Sequence, residues 1–284
     1  MPPGFLYGFE ELEDPRTRNC PHPLNELLLV ALGGVTSGSA GLVLGQVRTA
    51  AKSNEITAIP QLLDALDVKG ATITIDAMGC QHEIVKKIVD KQAHYIVAVK
   101  NNQPTLASAV ESLFEATDAG VHEGRLKQDI TLDKDHGRLE TRRCVVAHDL
   151  SSIDQQAQAW PGLKSVVMIE SKREFINGRD KGKSSTEWRY YISSLQLEAA
   201  EFNRQVRAHW AIENSCHWVM DMTFAEDDCR IRVGDGAQNF AILRRNALNL
   251  IKQEKSTKTS FNIKRLQAGW STDYLETLLG LPTL

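Results

Sequence analysis

The chain has 284 residues, of which 42% are hydrophobic and 24% charged, so it can form one large domain or a core domain that carries an insertion. A net charge of −3 and a pI near 6.3 exclude a bulk attraction to nucleic acid, and any such affinity must come from local basic patches. The cysteines share no CxxC spacing, and no apolar run approaches the roughly 20 residues of a membrane span. We expect a cytoplasmic protein with reduced thiols and no membrane partner.

The first fifty residues change character abruptly. Residues 1–23 are rich in Pro and Gly and predict an irregular arm, whereas residues 24–34 are apolar on most faces and predict a buried helix that ends at glycines. The small-residue segment 36–41 then leads directly into residues 42–50 (LVLGQVRTA), which predict a strand. A predicted helix followed at once by a sheet strand is an unusual junction.

Strands and helices alternate in the next part of the chain. Residues 53–67 predict a helix centred on 59–66, residues 71–78 a buried strand, and residues 94–100 a second strand. Between the strands, residues 82–93 have amphipathic helical spacing, and residues 105–116 predict another helix. This order favours βαβ units with a parallel core.

The middle of the chain predicts antiparallel strands, and the rest predicts helices. Residues 128–148 form two predicted strands around a turn at Asp135–Gly137, and two more strands flank the turn at residues 177–185. Residues 197–224, in one or two pieces, and 237–254 predict helices. We therefore expect an α/β core with a mainly β insertion and C-terminal helices.

The segment TITIDAMGCQ (Thr72–Gln81) is the first candidate for chemistry. An apolar strand ends on Asp76 and breaks into a turn of small residues, and reactive groups in open α/β sheets lie beyond the carboxyl ends of strands. The plain alternative is that Asp76 only caps the turn.

A second carboxylate, Glu213, lies in HWAIENSCHW (His209–Trp218). Two such carboxylates suit two-metal phosphoryl transfer, for which Mg²⁺ is the usual ion. With helical spacing, Glu213 shares a stripe with His209, His217 and Asp221. The stripe is also compatible with a solvated helix face or with a transition-metal site.

Seven ordered blocks of the chain resemble the DDE insertion-sequence transposases of the ISAs type, also known as H-repeat-associated proteins. Residues 14–38 are similar to the N-terminal associated domain of that family. The blocks are KSNEITAIPQLLDALDVKG (52–70), TIDAMGCQ (74–81), YIVAVKNNQ (95–103), DHGRLETRR (135–143), RYYISSL (189–195), HWAIENSCHWVMDMTFAEDDCRIR (209–232) and NALNLI (246–251).

The resemblance implies a ribonuclease H-like core with a β insertion between the second catalytic Asp and the catalytic Glu. Asp76 corresponds to that Asp and Glu213 to that Glu, and both would bind Mg²⁺, or Mn²⁺ in its place. The interval of 137 residues (213 − 76) leaves room for the insertion, at about residues 125–195. The implied partners are the terminal inverted repeats of an insertion sequence, target DNA and a second copy of the chain in a homodimer.

The chain departs from the family at the first catalytic Asp. The family places it in a strand block like IDGKTLR, upstream of the LVLGQ strand, and no such block occurs here. The junction near Ala40 is explained by an internal deletion of about 100 residues, the size of one domain. We expect residues 1–40 to be a remnant of the N-terminal helical domain and residues 41–284 to be the catalytic domain, without its first core strand.

Several residues are candidates for DNA contacts. Residues 172–189 hold six basic and three acidic residues, and residues 244–265 hold seven basic and one acidic residue, so both stretches can neutralise phosphates. Solvated turns and helix ends are the alternative. The specific candidates are Lys100, Asn101, Gln103, His136, Arg138, Arg244 and Arg245.

Three functions compete on the sequence alone. The first is a transposase that binds DNA and cuts and joins it with metal ions, impaired here by the loss of the first Asp. The second is a catalytically inactive DNA-binding or dimerising remnant. The third, a small-molecule α/β enzyme, lacks a glycine-rich phosphate loop.

Overall fold

A computed structural model describes residues 27–28, 42–48, 55–118, 126–135, 137–178, 180–212, 216–231 and 233–281. The strands are β1 (Leu27–Leu28), β2 (Val47–Arg48), β3 (Thr72–Ile75), β4 (His94–Val99), β5 (Leu126–Asp135), β6 (Arg138–Ala147), β7 (Ser165–Phe175) and β8 (Ser184–Ser193). The α-helices are α1 (Glu55–Ala65), α2 (His82–Asp90), α3 (Pro104–Asp118), α4 (Asp154–Ala159), α5 (Ala199–Ile212), α6 (Trp218–Phe224), α7 (Gly236–Gln253), α8 (Phe261–Trp270) and α9 (Thr272–Leu279). The described residues fall into two compact units: 55–210 form the sheet unit, and 27–28, 42–48 and 211–281 form the terminal unit.

A six-stranded mixed sheet with the order β3-β4-β8-β7-β6-β5 organises the sheet unit. β3 and β4 are parallel and are joined through α2, which confirms the predicted βαβ unit. α2 buries Ile84, Val85 and Ile88, as its amphipathic spacing predicts. Every residue of β3 is buried, because apolar runs without alternation suit strands that are covered on both faces.

β5, β6, β7 and β8 pair antiparallel, which confirms the antiparallel prediction for the middle of the chain. Their strands are not a separate sheet, because β8 also pairs with β4 and makes the sheet continuous. The buried halves of these strands pack against α5, where Phe202 and Val206 meet Val146, Val167 and Tyr191. The opposite halves extend beyond this core and carry mostly partly or fully exposed side chains.

Two expectations about the first fifty residues are wrong where the structure describes them. Leu27 and Leu28 lie in β1, paired with β2, and not in a helix. The predicted strand over residues 42–50 is reduced to Val47–Arg48, and residues 42–46 have no regular structure. Residues 24–26, 29–34 and 49–50 lie outside the described ranges.

Partly and fully buried polar contacts hold the terminal unit together. The Asn249 side chain donates to the backbone oxygen of Val43 and accepts from its backbone nitrogen, at 2.7 and 2.8 Å. Lys264 and Glu254 form a buried ion pair of 2.7 Å between α8 and the end of α7. The sequence did not predict helices α8 and α9. In the described ranges, no helix combines the length and apolar character needed to cross a bilayer.

Candidate active site

Asp76 directly follows β3 and caps the 3-10 turn Ala77–Gly79. Its Oδ1 accepts hydrogen bonds from the backbone nitrogens of Met78 and Gly79, at 3.1 and 3.4 Å. Asp76 therefore does cap the turn, as the alternative interpretation of the sequence predicts. The side chain is nevertheless exposed, and Oδ2 accepts no hydrogen bond within the described residues. One oxygen fixes the carboxylate and the other is available to a ligand.

The turn after Asp76 is close against β3. A Cβ atom on Gly79 would lie 2.2 Å from Cγ2 of Ile75, so only glycine permits this approach. Cys80 follows and is fully buried, and burial raises the pKa of its thiol to about 12. A thiol of that pKa stays protonated near neutral pH, so Cys80 supports the fold and supplies no nucleophile.

The loops that follow β3 and β4 are tied together by side-chain amides. Nδ2 of Asn102 donates to the carbonyl oxygen of Ala77 at 2.5 Å, and Nε2 of Gln103 donates to that of Cys80 at 2.9 Å. Lys100 and Asn101 are exposed in the same loop. The loop after β4, which carries the candidate DNA-binding residues Lys100, Asn101 and Gln103, thus lies beside the Asp76 turn. Gln103 has a structural role there, because its side chain links the two loops.

Helix α5 reaches the same region through His209. Nδ1 of His209 lies 3.0 Å from Oγ1 of Thr74, which precedes Asp76 by two residues and therefore shares its sheet face. Thr74 is buried, so its hydroxyl needs this partner. His209 precedes Glu213 by four residues in the sequence. The contact holds α5 against β3 close to Asp76.

An aromatic and cationic group lies beside His209. The guanidinium of Arg189 lies 4.0 Å from the ring centre of Trp210, and Nε1 of Trp210 donates to the hydroxyl of Tyr191 at 3.5 Å. Burial raises the pKa of Tyr191, so its hydroxyl keeps its proton. A pocket is lined by side chains of β3, β4, β8 and α5: Thr74, Ile75, Asp76, Ile96, Ala98, Tyr191, Val206, His209 and Trp210.

The sequence indicated only part of this arrangement. It placed His209 in one stripe with Glu213, as part of a metal site or a solvated helix face, and Arg189 was only one member of a basic stretch. Period-2 alternation from Asp76 would have pointed to Thr74, since both side chains face the same side of the sheet. No sequence signal pairs Thr74 with His209, 135 residues away.

The second predicted carboxylate, Glu213, lies outside the described residues, as does His136. α5 ends at Ile212 and α6 begins at Trp218, and Cys216 and His217 form a π-helical turn. Within the described ranges, no three His, Cys, Asp or Glu side chains gather in a metal-binding cluster. The pairing of Asp76 with Glu213 therefore stays a prediction.

The predicted DNA-binding arginines differ in their surroundings. Arg138 is exposed at a hairpin end, and Arg244 is partly exposed with its guanidinium 5.9 Å from the ring centre of Phe240. The predicted DNA contact of Arg245 needs correction, because its side chain is buried and its guanidinium donates to both carboxylate oxygens of Glu226, at 2.7 and 3.4 Å. Its guanidinium is committed to this internal ion pair and is not presented to phosphate.

Comparison with known proteins places the chain in a family. The family model described as "Transposase DDE domain" matches residues 31–250. "Putative transposase YncI" of Escherichia coli O157:H7 is 43% identical over 243 residues, which are 86% of this chain and 61% of that protein.

Two proteins of Escherichia coli strain K12 are similar to this chain over nearly the same share of its length. "H repeat-associated putative transposase YhhI" is 39% identical and "Putative protein YbfL" 40% identical, each over 238 residues, 84% of this chain and 62% of the relative. The chain thus spans about three fifths of the length of these curated relatives. The chain is similar to H-repeat-associated putative transposases, and by the family model it belongs to the DDE transposase family.

Proposed function

We propose that this protein acts on the DNA of an insertion sequence in the cytoplasm, through a divalent-metal site formed by Asp76 and Glu213. The observation that carries the proposal is the exposed Asp76 carboxylate at the carboxyl end of β3, in a member of the DDE family. Carboxylate oxygens at such a sheet edge suit Mg²⁺, with Mn²⁺ as a substitute. Bound ions of this kind activate an attacking hydroxyl and stabilise the leaving oxygen in phosphoryl transfer.

The residues of the chain have separate roles in this proposal. The bonds from Met78 and Gly79 hold Oδ1 of Asp76, so that Oδ2 is left to bind the ion. Thr74 and His209 hold the helix that leads to Glu213 against the strand that leads to Asp76. Geometry fixed in advance in this way lowers the cost of assembling the site when DNA and metal bind.

We further propose that cleavage is impaired, because no block like IDGKTLR supplies the first catalytic Asp. The relatives are longer than this chain. The 238 aligned residues of YhhI are 62% of that protein, so YhhI is about 384 residues long. It is about 100 residues longer than the 284 residues here. β3 ends the strand order of the sheet in the described residues, as expected for a ribonuclease H-like core that has lost the strand next to it. Losing one member of a catalytic unit costs several powers of ten in rate.

The proposed DNA contacts come from exposed or partly exposed residues in both units: Lys100, Asn101, Arg138 and Arg244. Lys100 and Asn101 lie in the loop that is tied to the Asp76 turn, and this position favours contact with the phosphate nearest the metal site. Terminal inverted repeats and target DNA are the proposed ligands, and a homodimer is the proposed assembly.

The test is strand cleavage of a supercoiled plasmid that carries the terminal inverted repeats, with Mg²⁺ or Mn²⁺. We expect little or no cleavage by the chain, and a gain when an IDGKTLR-type segment is restored from a full-length relative. The Asp76→Asn variant of the restored protein is the matched control and should be inactive. Robust cleavage by the unrestored chain that depends on Asp76 would contradict the proposed impairment.

The missing first Asp block favours a second candidate function, a catalytically inactive DNA-binding remnant that competes with intact transposase. This candidate predicts retained binding to the terminal repeats, with a steep salt dependence, and no cleavage under any metal condition. Mixing the chain with a full-length relative should then lower the cleavage rate of the relative. An unchanged rate at saturating chain would remove this candidate.

A further inference from the structure

β5 forms one edge of the sheet and is unusually open to pairing. It pairs over its ten residues with β6, from Leu126 opposite Ala147 to Asp135 opposite Arg138, without a shift in register. In the described part of the chain, no other strand pairs with it. It carries Lys127 and Lys134, but it has no proline and no bulge, two other features that protect an edge strand from other chains.

The two sides of β5 are used in opposite ways. On the side that faces α5, Asn203 donates to Asp129 and Thr131 at 2.8 and 3.4 Å. On the other side, Ile130 and Leu132 are 58% and 64% exposed. The side chains of Asp129 and Thr131 are therefore engaged within the chain, whereas those of Ile130 and Leu132 are presented to solvent at the sheet edge.

We propose that β5 pairs antiparallel with β5 of a second copy of this chain, with Ile130 of the two copies opposite each other. In this register, Lys127 lies opposite Asp133 of the second copy, and Gln128 lies opposite its Leu132. The two sheets become one continuous sheet with a two-fold axis at Ile130, as symmetric dimers require. The exposed apolar side chains of both copies then meet in one row across the edge.

Charge complementarity selects this register over its neighbours. A shift of two residues in one direction places Asp129 opposite Asp133 of the second copy, and in the other direction it places Asp129 opposite itself. Like charges in directly opposed positions are destabilising. Shifts by one residue place Ile130 opposite polar side chains of the α5 side and flip one sheet over.

The register also extends two ion pairs that exist within each chain. Lys127 bonds Glu198, and Asp133 bonds Arg207. When Lys127 approaches Asp133 of the second copy, the four groups alternate in sign along one line, from Glu198 of one copy to Arg207 of the other. The same four groups form twice, once on each side of the two-fold axis.

Cysteine cross-linking tests the register in the full chain. Opposed side chains in an antiparallel pair have Cβ atoms about 4.5–5.5 Å apart, close enough for a disulfide after small adjustment. In a Cys20→Ser background, Ile130→Cys should form a disulfide dimer with itself. Gln128→Cys alone and Leu132→Cys alone should not, but a mixture of the two should cross-link. The cysteines Cys80, Cys144, Cys216 and Cys229 are buried and serve as the internal background.

Mass measurement by light scattering tests the surface without cross-linking. The parent chain at tens of micromolar should show twice the monomer mass, and Ile130→Lys should be monomeric. Trp188→Lys is the matched control, since Trp188 is 54% exposed on β8, three strands from β5, and should leave the mass unchanged. Circular dichroism confirms that each variant is folded.

Either of two results would overturn the proposal. One is a parent chain that stays monomeric and gives no disulfide at Ile130→Cys. The other is equal self-cross-linking at positions 128, 130 and 132, which means a different register or random collision. Both measurements are made without DNA or metal ions, so their failure is distinct from a failure of the proposed DNA chemistry.

Discussion

The two roles of Asp76, turn cap and metal ligand, can be separated by two substitutions. Asp76→Asn keeps a side-chain oxygen that can accept from Met78 and Gly79, whereas Asp76→Ala removes it. Asn and Asp are equivalent caps, and replacing either by Ala costs about 1 kcal/mol. With a urea dependence of about 2–3 kcal/mol per molar, the Ala variant should unfold at roughly 0.4 M less urea. The Asn variant should unfold within about 0.1 M of the parent.

The two substitutions should differ in their effect on stability but not in their effect on metal binding. Both substitutions remove the charged oxygen available to an ion, so both should weaken Mn²⁺ binding by at least tenfold in calorimetric titration, although only one weakens the fold. An Asn variant that binds Mn²⁺ as well as the parent would show that Asp76 is a cap and no more. An Asn variant as unstable as the Ala variant would show that the charge of Asp76, and not its hydrogen bonds, supports the turn.

Three further predictions concern the surroundings of the site and the terminal unit. In a double-mutant cycle, Thr74→Val and His209→Ala should show a coupling of about 1 kcal/mol in urea unfolding, as expected for one hydrogen bond. A coupling below about 0.3 kcal/mol would remove the contact from the description of the site. Gly79→Ala should lower the free energy of unfolding by about 1–3 kcal/mol, because of the clash with the β3 side chain, whereas Gly269→Ala, which meets no atom within 4 Å and has no positive φ, is the control. The hydrogen bond from Lys264 lowers the pKa of Glu254 to about 2, from an ordinary value of 4.5. Because the folded pKa is below the unfolded one, this stabilisation is present above about pH 4.5 and is lost as the pH falls towards 2. Acid unfolding followed by circular dichroism should therefore show a smaller pH dependence between 4.5 and 2 in Lys264→Met than in the parent.

Elements with strong periodicity were predictable from the sequence. The spacing of Ile84, Val85 and Ile88 predicted α2, and the turn at Asp135–Gly137 predicted the β5–β6 hairpin. Leu27 and Leu28 were assigned wrongly because residues that are apolar on every face fit a buried strand as well as a buried helix. Short apolar runs carry too little periodicity to decide between the two.

Contacts between distant segments were not predictable. A count of basic residues marked Arg244 and Arg245 alike, but only the fold shows that Arg245 is buried against Glu226. The strand end at Asp76 was predicted from the apolar run before it, since that signal is local. The amides that link the loops after β3 and β4 depend on the parallel pairing of two strands, and this pairing has no local signature.

The amide bridges from Asn102 and Gln103 have a mechanical consequence. Two hydrogen bonds join the segment that carries Lys100 to the segment that carries Asp76, so the two segments can only shift together. Under the proposed function, a phosphate bound by Lys100 would also shift the Asp76 carboxylate, and nucleic acid and metal ion would be thermodynamically linked ligands. The side-chain amides of Asn102 and Gln103 would carry this linkage between the two proposed ligands.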